Sequence, residues 1–102
     1  MRAFNVNTSE QALKDLSGIA HYLSKFSIET AEKYHELIIE KMSSLVTFPT
    51  RCPFVRNSVL CEKGYRWTYV RNYTIFFKIY EEKNLVVVER ILYSRRAYDF
   101  LL

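Results

Sequence analysis

Glycine and proline are scarce in this chain of 102 residues, which has only two of each. This scarcity excludes glycine-rich phosphate-binding loops and long flexible linkers, because both need many such residues. No uncharged stretch approaches the roughly 18 residues that a membrane-spanning helix needs, and no apolar run follows the start as in a secretory signal. We therefore expect one domain over residues 1–102, in the cytoplasm and without a membrane partner.

Cysteine and histidine are too few and too widely spaced for a zinc finger. The order His21, His35, Cys52 and Cys61 matches no ligand spacing of that kind of site. Because no secretory signal is present, we expect the two cysteines to be free thiols that pack against apolar neighbours. The sequence therefore predicts no metal site and no cofactor.

Apolar and aromatic residues are plentiful by contrast. Hydrophobic residues make up 49% of the chain and aromatic residues 16%, with eight tyrosines and seven phenylalanines. We expect a well-filled core, and part of the ring surface should remain exposed as an apolar groove. The whole formal charge of +4 lies in residues 63–102, whereas residues 1–62 are neutral. This basic part favours an acidic protein or a nucleic-acid backbone as partner, with ordinary solvation of the surface as the alternative.

The chain is predicted to begin with a short strand and a first helix. Residues 3–6 form the strand, and Thr8 with Gln11 has the spacing of a capping box at the start of the helix. Gly18 falls inside this helix, where it costs up to about 1 kcal/mol of helix stability relative to alanine. The apolar stripe that follows the cap predicts one buried helix face.

A second helix completes an antiparallel helical hairpin. Ser27 is expected to cap it, and Pro49 is expected to end it, so that the strand and hairpin occupy residues 1–48. Residues 49–64 then form a connector that contains both prolines and both cysteines. The hairpin should pack on one face of a sheet formed by the rest of the chain.

The period of the apolar residues changes from 3.6 to 2 after the connector. The alternation predicts three strands, at residues 65–70, 73–80 and 85–93. A tight turn at residues 71–72 joins the first two strands, and a tail follows at residues 94–102. The three strands should pair as an antiparallel meander over residues 65–93. The opening strand should join this sheet beside the last strand or at an edge.

Two segments carry a resemblance to a known family. Residues 72–77 (NYTIFF) and 89–98 (ERILYSRRAY), in this order of helices and strands, resemble the RelE/ParE toxin superfamily of bacterial type II toxin–antitoxin systems. The resemblance implies an α+β fold, β-α-α-β-β-β, with an antiparallel sheet packed against a helical hairpin. It also implies a cytoplasmic growth-arrest toxin that a cognate antitoxin neutralises, the antitoxin being acidic with a DNA-binding N-terminal region.

The superfamily contains two chemistries, and the resemblance leaves both open. RelE-like members cleave messenger RNA on the ribosome without a metal, whereas ParE-like members act on DNA gyrase. The RelE-like pattern places basic residues at alternating positions of the strand after the helices, and an arginine after the tyrosine that opens the next strand. Arg66 matches this pattern, but Thr68 and Thr74 occupy two of its basic positions. If the chain is a metal-independent endoribonuclease, its candidate catalytic residues are Arg66, Arg95, Arg96 and Tyr98.

The missing cations favour the ParE-like alternative, and residues 91–96 (ILYSRR) are similar to a ParE-type ending. Under this interpretation the arginines contact the target, and the expected contact residues are Arg66, Arg71, Arg90, Arg95 and Arg96. Their alternative role is solvation or pairing with Glu81, Glu89 and Asp99. An inactive toxin that retains only antitoxin binding is a third hypothesis.

The apolar tail is the predicted antitoxin-binding segment. Its candidate residues are Tyr98, Phe100, Leu101 and Leu102. A terminal apolar segment either awaits a partner or docks back on its own chain, here on the helices. Both alternatives remain open at the level of the sequence.

Overall fold

A computed structural model describes the protein over residues 2–96 and 101–102, so that the predictions for Tyr98 and Phe100 lie outside the described residues. The elements in chain order are β1 (Asn5–Thr8), α1 (Glu10–Ser24), α2 (Ile28–Ser43), α3 (Ser58–Glu62), β2 (Arg66–Val70), β3 (Tyr73–Tyr80) and β4 (Leu85–Tyr93). The predicted α+β architecture is confirmed, and α3 is an addition within the connector. No helix in the described part of the chain is long and apolar enough to cross a membrane.

The four strands form one mixed sheet in the order β1-β4-β3-β2. The three later strands pair as the predicted antiparallel meander, and β1 lies beside β4 as expected. However, β1 runs parallel to β4, with Val6 opposite Val86, so the sheet is not antiparallel throughout. The long stretch of chain between these two strands permits a parallel pairing, which a tight turn does not.

Both long helices begin at a serine cap. The Oγ of Ser9 accepts a hydrogen bond from the N–H of Ala12 at 3.0 Å, whereas Thr8 is the last residue of β1. The predicted capping box at Thr8 is therefore wrong by one residue, because pairing with β4 keeps Thr8 extended. The predicted cap at Ser27 is confirmed, since its Oγ accepts from the N–H of Thr30 at 3.2 Å.

The second helix ends at Ser43, before the predicted end at Pro49, and a short 3-10 turn follows. The guanidinium of Arg51 donates hydrogen bonds to the main-chain oxygens of Thr47 at 2.6 Å and Phe48 at 2.8 Å. These carbonyls are thus satisfied without another helical turn. A side chain from the connector therefore holds the segment that follows the second helix in place.

Apolar side chains cover both faces of the sheet. The larger cluster lies between the sheet and the hairpin, and its fully buried members include Ile38, Leu45, Ile75, Phe77 and Val86. The smaller cluster lies on the opposite face, called here the outer face, and comprises Val55, Leu60, Tyr65, Phe76 and Leu92. The connector and α3 therefore provide a second cover for the sheet.

The C-terminal residues Leu101 and Leu102 pack against the smaller cluster on the outer face. The expectation that the tail docks on the helices is therefore wrong for these two residues. The physical reason is that the hairpin already packs its apolar face against the sheet, whereas the outer face still has rings to cover. Their role in antitoxin binding stays a prediction.

The last strand contains a bulge next to the start of α1. Its register against β3 shifts between Phe76 and Phe77, which leaves Glu89 without a cross-strand partner in the described sheet. The main-chain oxygen of Glu89 accepts a hydrogen bond from the Oγ of Ser9 at 2.8 Å. The bulge thus anchors the start of α1, and it brings Ile91 into the core beneath the helices.

Candidate functional site

Arg90 lies at the edge of β4 in an ion pair with α1. Its Nε and Nη2 donate hydrogen bonds to the two carboxylate oxygens of Asp15 at 2.7 and 2.9 Å, and the side chains are 12% and 10% exposed. The N–H of Ile91 donates to the same carboxylate at 3.0 Å, where β1 no longer covers β4. Asp15 therefore takes the place of a neighbouring strand along this part of the sheet edge.

The same guanidinium reaches the C-terminus, since Nη1 of Arg90 donates to the main-chain oxygen of Leu101 at 3.1 Å. The hydrogen bonds to Asp15 raise the pKa of Arg90 above its ordinary value, against the opposing effect of burial. This arginine is thus permanently charged and has acceptors on two sides. Its predicted role as a target contact stays a prediction, although its donors already have partners within the chain.

Arg66 is engaged with the connector. Its Nη1 donates to the main-chain oxygens of Cys52 at 2.6 Å and Thr50 at 3.3 Å, and its guanidinium lies 3.9 Å from the centre of the Phe54 ring. Charge, hydrogen bonds and ring stacking together hold the connector against the start of β2. Arg66 therefore has a structural role, whatever its part in target contact.

The remaining predicted arginines lie at one end of the sheet. Arg71 occupies the β2–β3 turn, where its φ of 55° confirms the predicted tight turn, and Arg95 and Arg96 lie in the turn after β4. The N–H of Ser94 donates to the main-chain oxygen of Asn72 at 2.8 Å, which joins the two turns. We call Arg71, Arg95 and Arg96, which are all exposed, the arginine end of the sheet.

The strand pairing separates the positions that a RelE-like site would combine. Thr68 lies opposite Ile75 on the face that bears the hairpin, and Arg66 occupies the same face two residues earlier. Thr74 lies opposite Tyr69 on the outer face, where its Oγ1 is 2.8 Å from the Oγ of Ser94. Thr68 and Thr74 therefore supply no cation on either face of the sheet.

The outer face contains a shallow depression of about 210 Å³ next to this threonine. Its lining is mostly apolar and comprises Val55, Arg56, Trp67, Thr74 and Phe76. Arg56 is the single charged side chain in this lining, and no sequence pattern marks it, because it lies in the irregular connector. The depression offers one exposed cation and a hydroxyl to a ligand.

A larger groove of about 570 Å³ lies between α1, the start of α2 and the ends of β3 and β4. We call it the tyrosine groove, since four of its lining residues are Tyr22, Tyr34, Tyr73 and Tyr93; the others include Lys14, Gly18, Asn72 and Arg96. The ring of Tyr73 makes edge-to-face contacts with Tyr34 and Tyr93, at centroid distances of 5.9 and 6.0 Å. The rings thus support one another along the wall of the groove.

Tyr73 is the buried member of this set. Burial, and then the neighbouring phenols of Tyr34, Tyr22 and Tyr93, raise its pKa above the ordinary value of 10.0. Its hydroxyl therefore stays protonated at neutral pH and is available for hydrogen bonds at the groove.

The sequence predicts an exposed groove but none of these tyrosines, because they come from four different elements. One signal was present along α1, where Lys14, Gly18 and Tyr22 recur at intervals of four residues and therefore share a helix face. Tyr22 also packs edge-to-face on the exposed ring of Phe26 at 5.4 Å, which extends the apolar surface beyond the groove.

Within residues 2–96 and 101–102, no group of three or more His, Cys, Asp or Glu side chains is placed to hold a metal ion. Cys52 and Cys61 are both free, and Cys52 is a buried member of the larger core cluster. This cysteine is thus a packing residue, as the sequence predicted.

The fold of this chain is similar to the folds of several solved toxin–antitoxin structures. A search of curated sequences finds no match. Among solved structures, the chain is similar to one from the chromosomal ParDE toxin–antitoxin system of P. aeruginosa, with a TM-score of 0.74, 18% identity and coverage of 93% of this chain and 100% of that one. It is also similar to the RelBE2 toxin–antitoxin complex of Mycobacterium tuberculosis, with a TM-score of 0.63, 18% identity and coverage of 89% and 98%.

A mutant of the E. coli toxin RelE in the free state is similar as well, with a TM-score of 0.63, 18% identity and coverage of 93% of this chain and 86% of that one. These identities show a shared fold, and the resemblance to the RelE/ParE superfamily is confirmed. Residues 6–98 match the family described as "ParE toxin of type II toxin-antitoxin system, parDE". The chain therefore belongs to the ParE toxin family of type II toxin–antitoxin systems.

Proposed function

We propose that this toxin arrests growth by acting on DNA gyrase in the cytoplasm, and that a cognate acidic antitoxin neutralises it. The observation that carries this proposal is the exposure of Arg71, Arg95 and Arg96 on two adjoining turns, whereas positions 68 and 74 are threonines. A protein-directed inhibitor needs an exposed contact surface, whereas a nuclease needs convergent catalytic groups.

Metal-free RNA cleavage requires a base for the 2′-hydroxyl, an acid for the leaving oxygen and cations for the negative charge of the transition state. The groups available on the described outer face fit this chemistry poorly. Arg56 is the charged residue of the depression, and the hydroxyl of Thr74 is hydrogen-bonded to that of Ser94. Arg66 lies on the other face and donates to the connector. Tyr98, the candidate phenol, lies outside the described residues.

The arginine end fits the contact surface of an inhibitor better. Arg71, Arg95 and Arg96 are exposed on two adjoining turns, so their guanidinium groups can approach the same region of a partner. Arginine is favoured at such interfaces because its planar group binds carboxylates through two hydrogen bonds and stacks on rings. We therefore assign the target contact mainly to these three residues.

The test uses the whole chain produced with and without the protein encoded by the adjacent reading frame. Growth of the host is measured after induction, supercoiling by purified gyrase is assayed with the toxin alone, and transcript ends are mapped by primer extension. We expect growth arrest and loss of supercoiling without new transcript ends, and the neighbouring protein should restore both growth and supercoiling.

The alternatives give different results in the same experiment. Codon-registered cuts in transcripts together with normal supercoiling would establish the RelE-like ribosome-dependent endoribonuclease and refute the proposed target. Normal growth after induction, with retained binding of the neighbouring protein, would identify an inactive toxin that keeps only antitoxin binding.

A further inference from the structure

Phe48 adopts a backbone conformation that its residue type disfavours. Its φ of 50° and ψ of 54° lie in the left-handed region, where a Cβ is crowded and where glycine or asparagine is the usual residue. The next residue is Pro49, which favours an extended conformation in the residue before it. Phe48 therefore departs from two local preferences, and the surrounding structure must offset the cost.

Contacts on both sides hold the main chain of Phe48 in this conformation. Pro49 is fully buried, and Ala3 pairs with Thr47 in an isolated β-bridge. The guanidinium of Arg51 donates to the main-chain oxygens of Thr47 at 2.6 Å and Phe48 at 2.8 Å. These neighbours require the left-handed turn but not the phenylalanine, because glycine would make the same main-chain contacts without strain.

The ring of Phe48 contributes little to the fold. The residue is 63% exposed, and it belongs to neither of the core clusters that the described residues form. It borders only a small surface depression of about 170 Å³, together with Phe4 and Arg2. Because neither the turn nor the core accounts for an aromatic ring at this strained position, the choice of phenylalanine indicates a contact outside the chain.

A groove leads from the vicinity of Phe48 to the arginine end. Arg51, beside Phe48, also donates to the Oγ of Ser44 at 3.0 Å, and Ser44 lines a groove of about 490 Å³ between the ends of α2 and β2. We call it the α2–β2 groove. Its charged lining residues are Glu40, Lys41 and Arg71. Together with Arg51, this side of the molecule thus has three cations against one carboxylate, which favours an acidic partner.

We infer that Phe48 is the apolar anchor of the surface that binds the target protein, and that this surface extends from the arginine end through the α2–β2 groove to Phe48. The partner that fits is a protein with an apolar pocket for one ring and carboxylates beside it. This inference rests on the proposed function, under which gyrase is the protein that has this pocket. An exposed ring held rigidly by its main chain suits such a role, because little of its freedom is lost on binding.

The dimensions of the molecule allow one partner to cover the whole surface. The connector and the arginine end lie at the two ends of β2, whose five residues span about 17 Å. Both therefore fit within an interface of standard size, about 800 Å² on each partner. A nucleic-acid backbone fits less well, because it carries a charge at every nucleotide and Glu40 lies among the cations of the groove.

The experiment compares Phe48→Gly with Phe26→Gly, the same change at another exposed ring whose φ is not positive. For each full-length toxin we measure the Tm and the concentration that half-inhibits supercoiling by purified gyrase. Phe48→Gly should need about thirtyfold more toxin, because the interface loses its anchor, while its Tm rises by about 3 °C because glycine relieves the strain. Phe26→Gly should inhibit like the wild type and have a lower Tm, since glycine gains nothing there.

Phe48→Ala separates the ring from the strain. Alanine removes the ring but keeps a Cβ in the left-handed region, so inhibition should weaken as much as in Phe48→Gly without the rise in Tm. Opposite changes in stability and inhibition are a result that a ring with only a structural role would not produce. A fall in the Tm of Phe48→Gly equal to that of Phe26→Gly would therefore overturn the inference.

The remaining outcomes separate this inference from the proposed function. Wild-type inhibition by Phe48→Gly would overturn the inference and leave the proposed function standing, whereas failure of the wild-type toxin to inhibit gyrase would overturn both. Unchanged inhibition with weaker binding of the protein encoded by the adjacent reading frame would assign the ring to the antitoxin instead. Unchanged inhibition with weaker binding of a fluorescent single-stranded oligonucleotide would assign it to nucleic acid.

Discussion

The edge of β4 and the turn that follows it contain arginines in opposite situations. Arg90 at the edge is 12% exposed and donates to a carboxylate and a main-chain oxygen. Arg95 and Arg96, only a few residues later, are exposed in the turn. The difference shows that the charge of a residue does not decide its role, because the elements that cover it do.

The same contrast separates Arg66 from Arg71, at the two ends of β2. Arg66 is half-buried against the connector, whereas Arg71 is exposed in the next turn. The net charge of the basic half therefore overstates the surface available to a partner. Of the five arginines predicted as target contacts, two hold the fold together and three form the arginine end.

The strongest test of this contrast is removal of the carboxylate at the edge. Asp15→Asn leaves Arg90 as a nearly buried charge without its counterion, so the free energy of unfolding should fall by about 3 kcal/mol. Urea titration measures the change, and the exposed Glu82→Gln serves as the matched control with an effect within about 0.5 kcal/mol. Equal stability of the two variants would show that the edge pair is no different from a surface charge.

A smaller loss is expected from the arginine at the connector. Arg66→Ala removes the hydrogen bonds to Cys52 and Thr50 and the contact with the Phe54 ring, which should cost about 2 kcal/mol. Arg56→Ala changes an exposed arginine nearby and should cost within about 0.5 kcal/mol. Thermal unfolding compares the two variants, and an equal fall in Tm would contradict the structural role of Arg66.

Substitutions at the arginine end should weaken inhibition of the target and leave the stability of the fold unchanged. The double change Arg95→Ala with Arg96→Ala should leave stability within about 0.5 kcal/mol and raise the toxin concentration needed to inhibit supercoiling about tenfold. The control for net charge is Lys63→Ala with Lys83→Ala, which also removes two exposed cations, both outside the arginine end. Equal inhibition by the two double variants would remove the arginine end from the contact surface.

The smallest expected effect is a loss of stability at alkaline pH, which distinguishes buried tyrosine hydroxyls from exposed ones. Burial raises the pKa of Tyr73 in the groove and of Tyr65 on the outer face above 10.0, with Glu89 and Tyr80 contributing at Tyr65. A raised folded-state pKa means that stability is fully present below the unfolded value and is lost as pH rises through the folded value. Unfolding followed from pH 9 to pH 11.5 should therefore show a decline that Tyr73→Phe reduces, and an unchanged decline would contradict the burial of this hydroxyl.

Sequence patterns predicted the elements more accurately than the surfaces. Period-2 alternation located the meander, and the serine at position 27 marked the start of α2, because both signals are local. The short helix α3 was missed, since Asn57 caps it within a connector that has no clear periodicity. The cap was predicted one residue too early, at Thr8, because a local signal was present there but pairing with a strand eighty residues away overrides it.

The candidate site was harder to predict for the same physical reason. Arg66, Thr68 and Thr74 are close in sequence, but successive residues of a strand point to opposite faces, and Thr74 lies on the face opposite to that of Arg66 and Thr68. The tyrosine groove combines residues from both helices and two strands, so no window of sequence contains it. Only the spacing of Lys14, Gly18 and Tyr22 along α1 was a visible signal of a shared surface.

The sequence by itself determined the α+β class, the order of the long elements, the concentration of positive charge after residue 62 and the family. These properties depend on local periodicity, composition and ordered segments. The tertiary structure alone decided the parallel pairing of β1, the docking of Leu101 and Leu102 on the outer face, and the division of the arginines into buried and exposed groups. Each of these depends on contacts between residues distant in the chain, and burial, which sets the role of a charge, exists only once those contacts form.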